Sequence, residues 1–103
     1  MDQKTAIEIG KKYFRLLQER NYPVNRIFLF GSFARGNQHK ESDIDLAIFM
    51  RELPDPFQTR VDLLKLTWNF DTRIEPHPFE EQDFNSINPV IHEIRRTGIE
   101  IIA

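Results

Sequence analysis

Two aspartates, Asp43 and Asp45, stand one residue apart in the run Ser42-Asp43-Ile44-Asp45-Leu46. On a strand, residues two apart share a face, so both carboxylates project together while Ile44, Leu46 and Ile48 project to the other side. Like charges that close repel unless a cation lies between them, and hard oxygen donors favour Mg2+ or Mn2+ over softer metals. Upstream, the apolar run Ile27 to Phe30 stops at Gly31-Ser32. It reads as a buried strand followed by a short helix that Ser32 caps, and Gly31 lets the backbone approach a ligand closely. Amide groups and the Ser32 hydroxyl then point outward from a helix N-terminus, which suits a phosphate. Either feature alone is commonly structural: a Gly-Ser pair is usually just a turn, and a lone Asp-x-Asp is usually a solvated strand end. Side by side they are the parts needed for phosphoryl or nucleotidyl transfer, where positioning and charge neutralisation supply most of the catalysis.

Such strands need a frame, and the rest of the chain predicts one. Residues 5 to 20 place Ala6, Ile9, Tyr13, Leu16 and Leu17 at helical spacing, with Thr5 and Glu8 spaced as a capping box if Thr5 is the N-cap. Its other face carries Lys11, Lys12, Arg15 and Arg20 and reads as solvated, and Asn21-Tyr22-Pro23 ends the helix. Pro54-Asp55-Pro56 is a break, after which Phe57 to Trp68 puts Val61, Leu63, Leu64 and Trp68 on a helical period, as a crossover helix would. Asp62 on it reads as a surface residue. The segment Asp71 to Phe79 alternates and contains Pro76 and Pro78, which predicts a short strand that ends abruptly. Residues 80 to 85 form an acidic turn or short helix. Val90 to Arg96 reads as a helix with Pro89 in its first turn and Gly98 as its stop, and Ile99 to Ile102 as a small edge strand. The order is α-β-(α)-β-α-β-α-β, an α/β fold with a small mixed sheet flanked by helices.

With 103 residues, 40% hydrophobic and 29% charged, the expectation is a single domain over residues 1–103. That is enough for one core but small for an enzyme that must also hold an acceptor, so a partner or a homo- or hetero-oligomer is expected. Nine Phe point to an aromatic core or an exposed interface, and a net charge of −2 argues against general nucleic-acid binding. The absence of cysteine excludes disulfides and thiolate metal sites. The polar N-terminus lacks a signal peptide's apolar core, and no run of about 18 apolar residues could cross a bilayer, so a cytoplasmic location is expected.

Taken together, Gly31-Ser32-x-Ala34-Arg35-Gly36 and Ser42-Asp43-Ile44-Asp45-Leu46 resemble the signature of the DNA polymerase β-like nucleotidyltransferase superfamily. Within it the match is to the minimal nucleotidyltransferases, small prokaryotic domains often paired with HEPN-domain proteins. The resemblance implies the nucleotidyltransferase fold, ATP as donor, two divalent metals (Mg2+ or Mn2+) held by carboxylates, and a third carboxylate on the strand after the crossover helix. Glu75 occupies that place, a Glu where many relatives carry Asp; Asp71 competes but precedes the strand and reads as a turn residue. By the same resemblance Gly31 and Ser32 hold the β/γ-phosphates, Asp43 and Asp45 hold both metals, and Glu75 binds the metal next to the acceptor. Arg35 either reaches a phosphate or braces the turn against a local carboxylate. His77 shares Glu75's face if the strand continues through Pro76; it then contacts ribose or phosphate, or is structural. His39 and Lys40, in the polar loop 36–41, read as solvent-facing residues near the site.

The implied reaction is transfer of AMP from ATP to an acceptor hydroxyl. Larger members append a domain that selects the acceptor, and this sequence stops before one could form, so the acceptor is expected on another protein. Among minimal members that protein is typically a HEPN ribonuclease toxin, neutralised by AMP added to a tyrosine in a toxin–antitoxin pair. The rival is an antitoxin that acts by binding alone; a weaker alternative is a small-molecule, aminoglycoside-type transferase.

Overall fold

Strands that bury apolar side chains on both faces of one sheet divide the core into two unequal clusters. The computed structural model describes residues 1–103, with helix α1 at Gln3–Glu19, strand β1 at Val24–Phe30, α2 at Ser32–Arg35, β2 at Ile44–Met50, α3 at Pro56–Thr67, β3 at Ile74–Glu80, α4 at Pro89–Thr97 and β4 at Ile99–Ile101. A 3-10 turn over Glu81–Asp83 links β3 to α4. The strands make one sheet in the order β3-β2-β1-β4, with β1 antiparallel to β2 and β4, and β2 parallel to β3. The mixed sheet and element order expected from the sequence are both present. The parallel β2–β3 junction demands a crossover, which α3 supplies, and α4 carries the chain from the β3 edge to β4 at the opposite edge.

On one face, Ile27, Leu29, Ile44, Leu46, Ile48 and Ile74 pack with Ala6, Tyr13 and Leu17 of α1 and Leu63 of α3 into the larger core. The Tyr13 hydroxyl donates to the Leu63 carbonyl at 2.9 Å and ties the two helices together through that core. On the other face Phe28, Ala47 and Phe49 meet Ile91 and Ile94 of α4. Phe84 stands edge-on to Phe49 at 5.1 Å, with the Arg26 guanidinium 4.1 Å over its ring. Phe30, Phe79 and Phe84 thus pack against Phe28 and Phe49 of this second core, while Phe57 stays 78% exposed.

Local chemistry differs from expectation in three places. Asp2, not Thr5, is the N-cap of α1: its carboxylate accepts from the Thr5 amide at 2.8 Å, consistent with Asp outranking Thr as a cap. Trp68 lies past the end of α3 and is 66% exposed, so the buried contacts of α3 come from Leu63 and Thr67. Strand β3 does not stop at its prolines. The Ile44 amide donates to the Arg73 carbonyl at 2.8 Å, which puts the odd-numbered β3 positions on the ladder and turns Pro76 and Pro78 to the free edge, where a missing N–H costs no bond. No helix is long and apolar enough to cross a membrane.

Candidate active site

Gly31, at the end of β1, has φ 74° and ψ −152°, a conformation essentially reserved for glycine. It occupies the N-cap position of α2, so Ser32 is the first helical residue rather than the cap; the chain must turn through positive φ immediately after the strand, and only Gly31 can do so. Helix α2 is fastened by buried Phe33 and by Gln3 of α1, whose amide donates to the Phe33 carbonyl at 2.9 Å. The first amides of such a helix have no intrahelical acceptor, which leaves them for a ligand. A Cβ on Gly31 would lie 2.5 Å from Asp45 Oδ2, because the β1–β2 register sets Phe30 opposite Asp45. The closest neighbour that requires a glycine here is therefore the protein's own carboxylate.

The parallel β2–β3 register pairs Asp45 with Glu75 and Ala47 with His77. Alternation places Asp45, Glu75 and His77 on the α4 face, away from the larger core. One donor atom from each lies within 4.8 Å of the other two, and all three side chains are half-buried. His77 Nε2 is 3.3 Å from Asp45 Oδ1, and the imidazole stands edge-on to Phe30 at 5.1 Å and 67°. Arg60 of α3 approaches Glu75 at 3.5 Å.

Asp43 precedes β2, is exposed, and is not one of the three clustered donors. Its loop is fastened instead by Ser42, whose Oγ accepts from the His39 amide at 2.9 Å, while His39 Nδ1 accepts from the Glu41 amide at 3.2 Å. Asp71, the competing acid, pairs with Arg73 in its own turn. It accepts from the Arg73 amide, Nε and Nη2 at 3.0, 3.0 and 2.7 Å, and the Arg73 side-chain bonds hold its carboxyl below the ordinary range. Arg35 is exposed and lines a cleft of about 370 Å3 with Phe30, Gly31, Val90 and Glu93, so the corner and a carboxylate of α4 both lie beside it. A second cleft, of about 340 Å3, is lined by Phe57, Arg60, His77, Pro78 and Phe79. Asp45 lies against Gly31, which lines the first cleft, and 3.3 Å from His77, which lines the second.

Sequence reasoning did not place His77 in the acidic cluster or bring Arg60 to Glu75. The spacing Glu75-x-His77 was a usable signal, outweighed by Pro76; Arg60 has no local signal at all. The donor set fits a divalent cation. Neighbouring donors of an octahedral ion at ~2.1 Å are about 3 Å apart, close to the Asp45–His77 separation of 3.3 Å, and the Glu75 donor lies within 4.8 Å of both.

A strand-end glycine corner thus touches an acid on the next strand, and a second acid stands in register opposite it on the third, all on the α4 face of an α/β sheet. The family profile described as "Polymerase beta, Nucleotidyltransferase" matches residues 11–103, and the chain belongs to that nucleotidyltransferase family. It is 36% identical over 113 aligned positions to a candidate protein adenylyltransferase of Methanocaldococcus jannaschii, covering 99% of this chain and 74% of that one. It is 39% identical over 44 residues to the protein adenylyltransferase MntA of Shewanella oneidensis, a match over 43% of this chain and 32% of the relative. Against another M. jannaschii relative the match spans about half that protein's length, 55%. Among solved structures, a toxin–antitoxin crystal structure with AMP-PNP superposes with a TM-score of 0.66 at 26% identity, over 92% of this chain and 73% of that one.

Proposed function

We propose that this nucleotidyltransferase is a metal-dependent adenylyltransferase that moves AMP from ATP to a tyrosine hydroxyl of a HEPN-domain toxin partner, acting as the cytoplasmic antitoxin of the pair. The observation that carries this reading is the position of Asp45, in contact with the Gly31 corner that lines one cleft and beside Glu75 and His77, the latter lining another. The protein-adenylyltransferase relatives and the toxin–antitoxin neighbour support the choice of donor and partner.

In this mechanism the α2 amides and the Ser32 hydroxyl bind the β/γ-phosphates, and Arg35 in the same cleft adds a positive charge. Asp43 and Asp45 carry the negative charge that holds cations against the triphosphate. Glu75 favours loss of the acceptor's proton, so that the tyrosine oxygen bonds to the α-phosphorus as the bond to the leaving pyrophosphate breaks. Arg60 pairs with the Glu75 carboxylate at 3.5 Å. A bound Mg2+ or Mn2+ supplies neutralisation of the transferring phosphoryl group and a lowered acceptor pKa.

The test is incubation with α-labelled ATP, Mg2+ and the partner encoded beside this gene. Label should appear on the partner and disappear when its acceptor tyrosine is changed to Phe. No label on the partner, with partner activity still neutralised, would favour the binding-only antitoxin; label on an aminoglycoside instead would favour the small-molecule transferase.

A further inference from the structure

His77 brings a ring nitrogen within 4.8 Å of both Asp45 and Glu75, and the chain around it holds it there. The register sets Ala47 opposite His77, so no side chain beyond a methyl blocks the imidazole from leaning along the strand toward Asp45. Its Nε2 comes to 3.3 Å from Asp45 Oδ1, about the spacing of adjacent donors around one ion. Phe30 supports the ring edge-on at 5.1 Å. In Glu75-Pro76-His77-Pro78 both donors directly precede a proline, which biases each toward extended backbone and narrows the conformations the unfolded chain must give up. Asp43, the donor expected from the sequence, lies outside this cluster.

We propose, on the adenylyltransferase reading of the same site, that His77 Nε2 is a direct ligand of the divalent cation, completing a mixed oxygen and nitrogen donor set with Asp45 and Glu75. The chemical consequence is metal selectivity. Mg2+ takes oxygen ligands and gives up water reluctantly, whereas first-row divalent metals accept imidazole, so the site favours Mn2+ over Mg2+. A histidine that only hydrogen-bonds Asp45 would leave that ratio unchanged.

The experiment uses the full chain without partner and reads metal binding rather than activity. Mn2+ affinity is followed by loss of the free-ion spin-resonance signal, and Mg2+ affinity by competition. Pulsed spin resonance of bound Mn2+ should show coupling to one directly bound nitrogen. His77→Asn should remove that coupling and weaken Mn2+ by at least about tenfold, with Mg2+ held within about twofold, whereas Asp45→Asn weakens both ions. Bound Mn2+ without nitrogen coupling in the unaltered chain overturns the proposal, whatever the variants do. Equal loss of both ions in folded His77→Asn overturns it too, because it shows a positioning role. Nitrogen coupling in a chain that labels no partner keeps the ligand assignment and removes the adenylyltransferase reading; label transfer without nitrogen coupling does the reverse.

Discussion

The two faces of the sheet are built from the same strands and do opposite work. On the face beneath α1 and α3, a core cluster of 15 buried residues excludes water along the whole sheet. On the α4 face only 5 buried residues cluster, at the end where Phe28 and Phe49 meet Ile91 and Ile94. The other end stays open and carries Asp45, Glu75 and His77. In β2 the split occurs between adjacent residues: Leu46 is fully buried while its neighbour Asp45 is a quarter exposed at its side chain. Neighbouring substitutions should therefore separate stability from chemistry, because one face supplies folding free energy and the other spends little of it on holding charges together.

The largest expected effect is at the corner where β1 ends. Gly31→Val puts a branched side chain into a glycine-only conformation and against the Asp45 carboxylate, so transfer of label from α-labelled ATP should fall below detection while circular dichroism retains the fold. Transfer by a folded Gly31→Val chain would remove the corner from the site. Next comes Asp45→Asn, which keeps size and removes charge. Loss of several kcal/mol of transition-state stabilisation corresponds to at least about a hundredfold in rate, with Tm nearly unchanged because Asp45 packs in neither core. Near wild-type transfer by this variant would show that the cluster is not catalytic.

Leu46→Ala tests the opposite face of the same strand. Truncating this buried side chain should cost about 2–5 kcal/mol in denaturant unfolding. Turnover per folded molecule should be preserved, and a large loss of turnover at intact stability would mean the faces are not independent. The smallest effect belongs to the bond between α1 and α3. Tyr13→Phe should cost about 0.5–1.5 kcal/mol through loss of the hydroxyl bond to Leu63. Burial raises the Tyr13 pKa above its ordinary value of 10.0. Its contribution is therefore fully present below pH ~10 and is lost as the pH climbs through the raised folded value. The wild type should lose stability in that alkaline range more steeply than Tyr13→Phe, and identical alkaline melting curves would count against a buried, protonated Tyr13.

Much of the arrangement was legible in short stretches of sequence, because the interactions that decide it are local. The period-two pattern from Ile44 to Ile48 separates core from site within one strand, and Gly31-Ser32 after an apolar run marks a turn that must leave ordinary backbone space. Asn88-Pro89 and Gly98 bracket α4 within a residue of its observed ends. Local competition also explains the errors at this scale: Asp2 against Thr5 for the first cap, and Gly31 against Ser32 for the second.

Which acids meet was decided by tertiary structure. Burial of Ile44 and Ile74 side by side sets the β2–β3 register, and that register alone brings Glu75 opposite Asp45 and carries His77 into reach. A shift of β3 by one position would turn Glu75 and His77 to the core face and leave Asp45 alone. Pro76 spoke against a continuing strand until the fold made β3 an edge, where the odd positions bond to β2 and the prolines face outward. Arg60 reaches Glu75 only because α3 packs over the crossover it forms, a pairing set by the path of the chain through space and by no spacing along it.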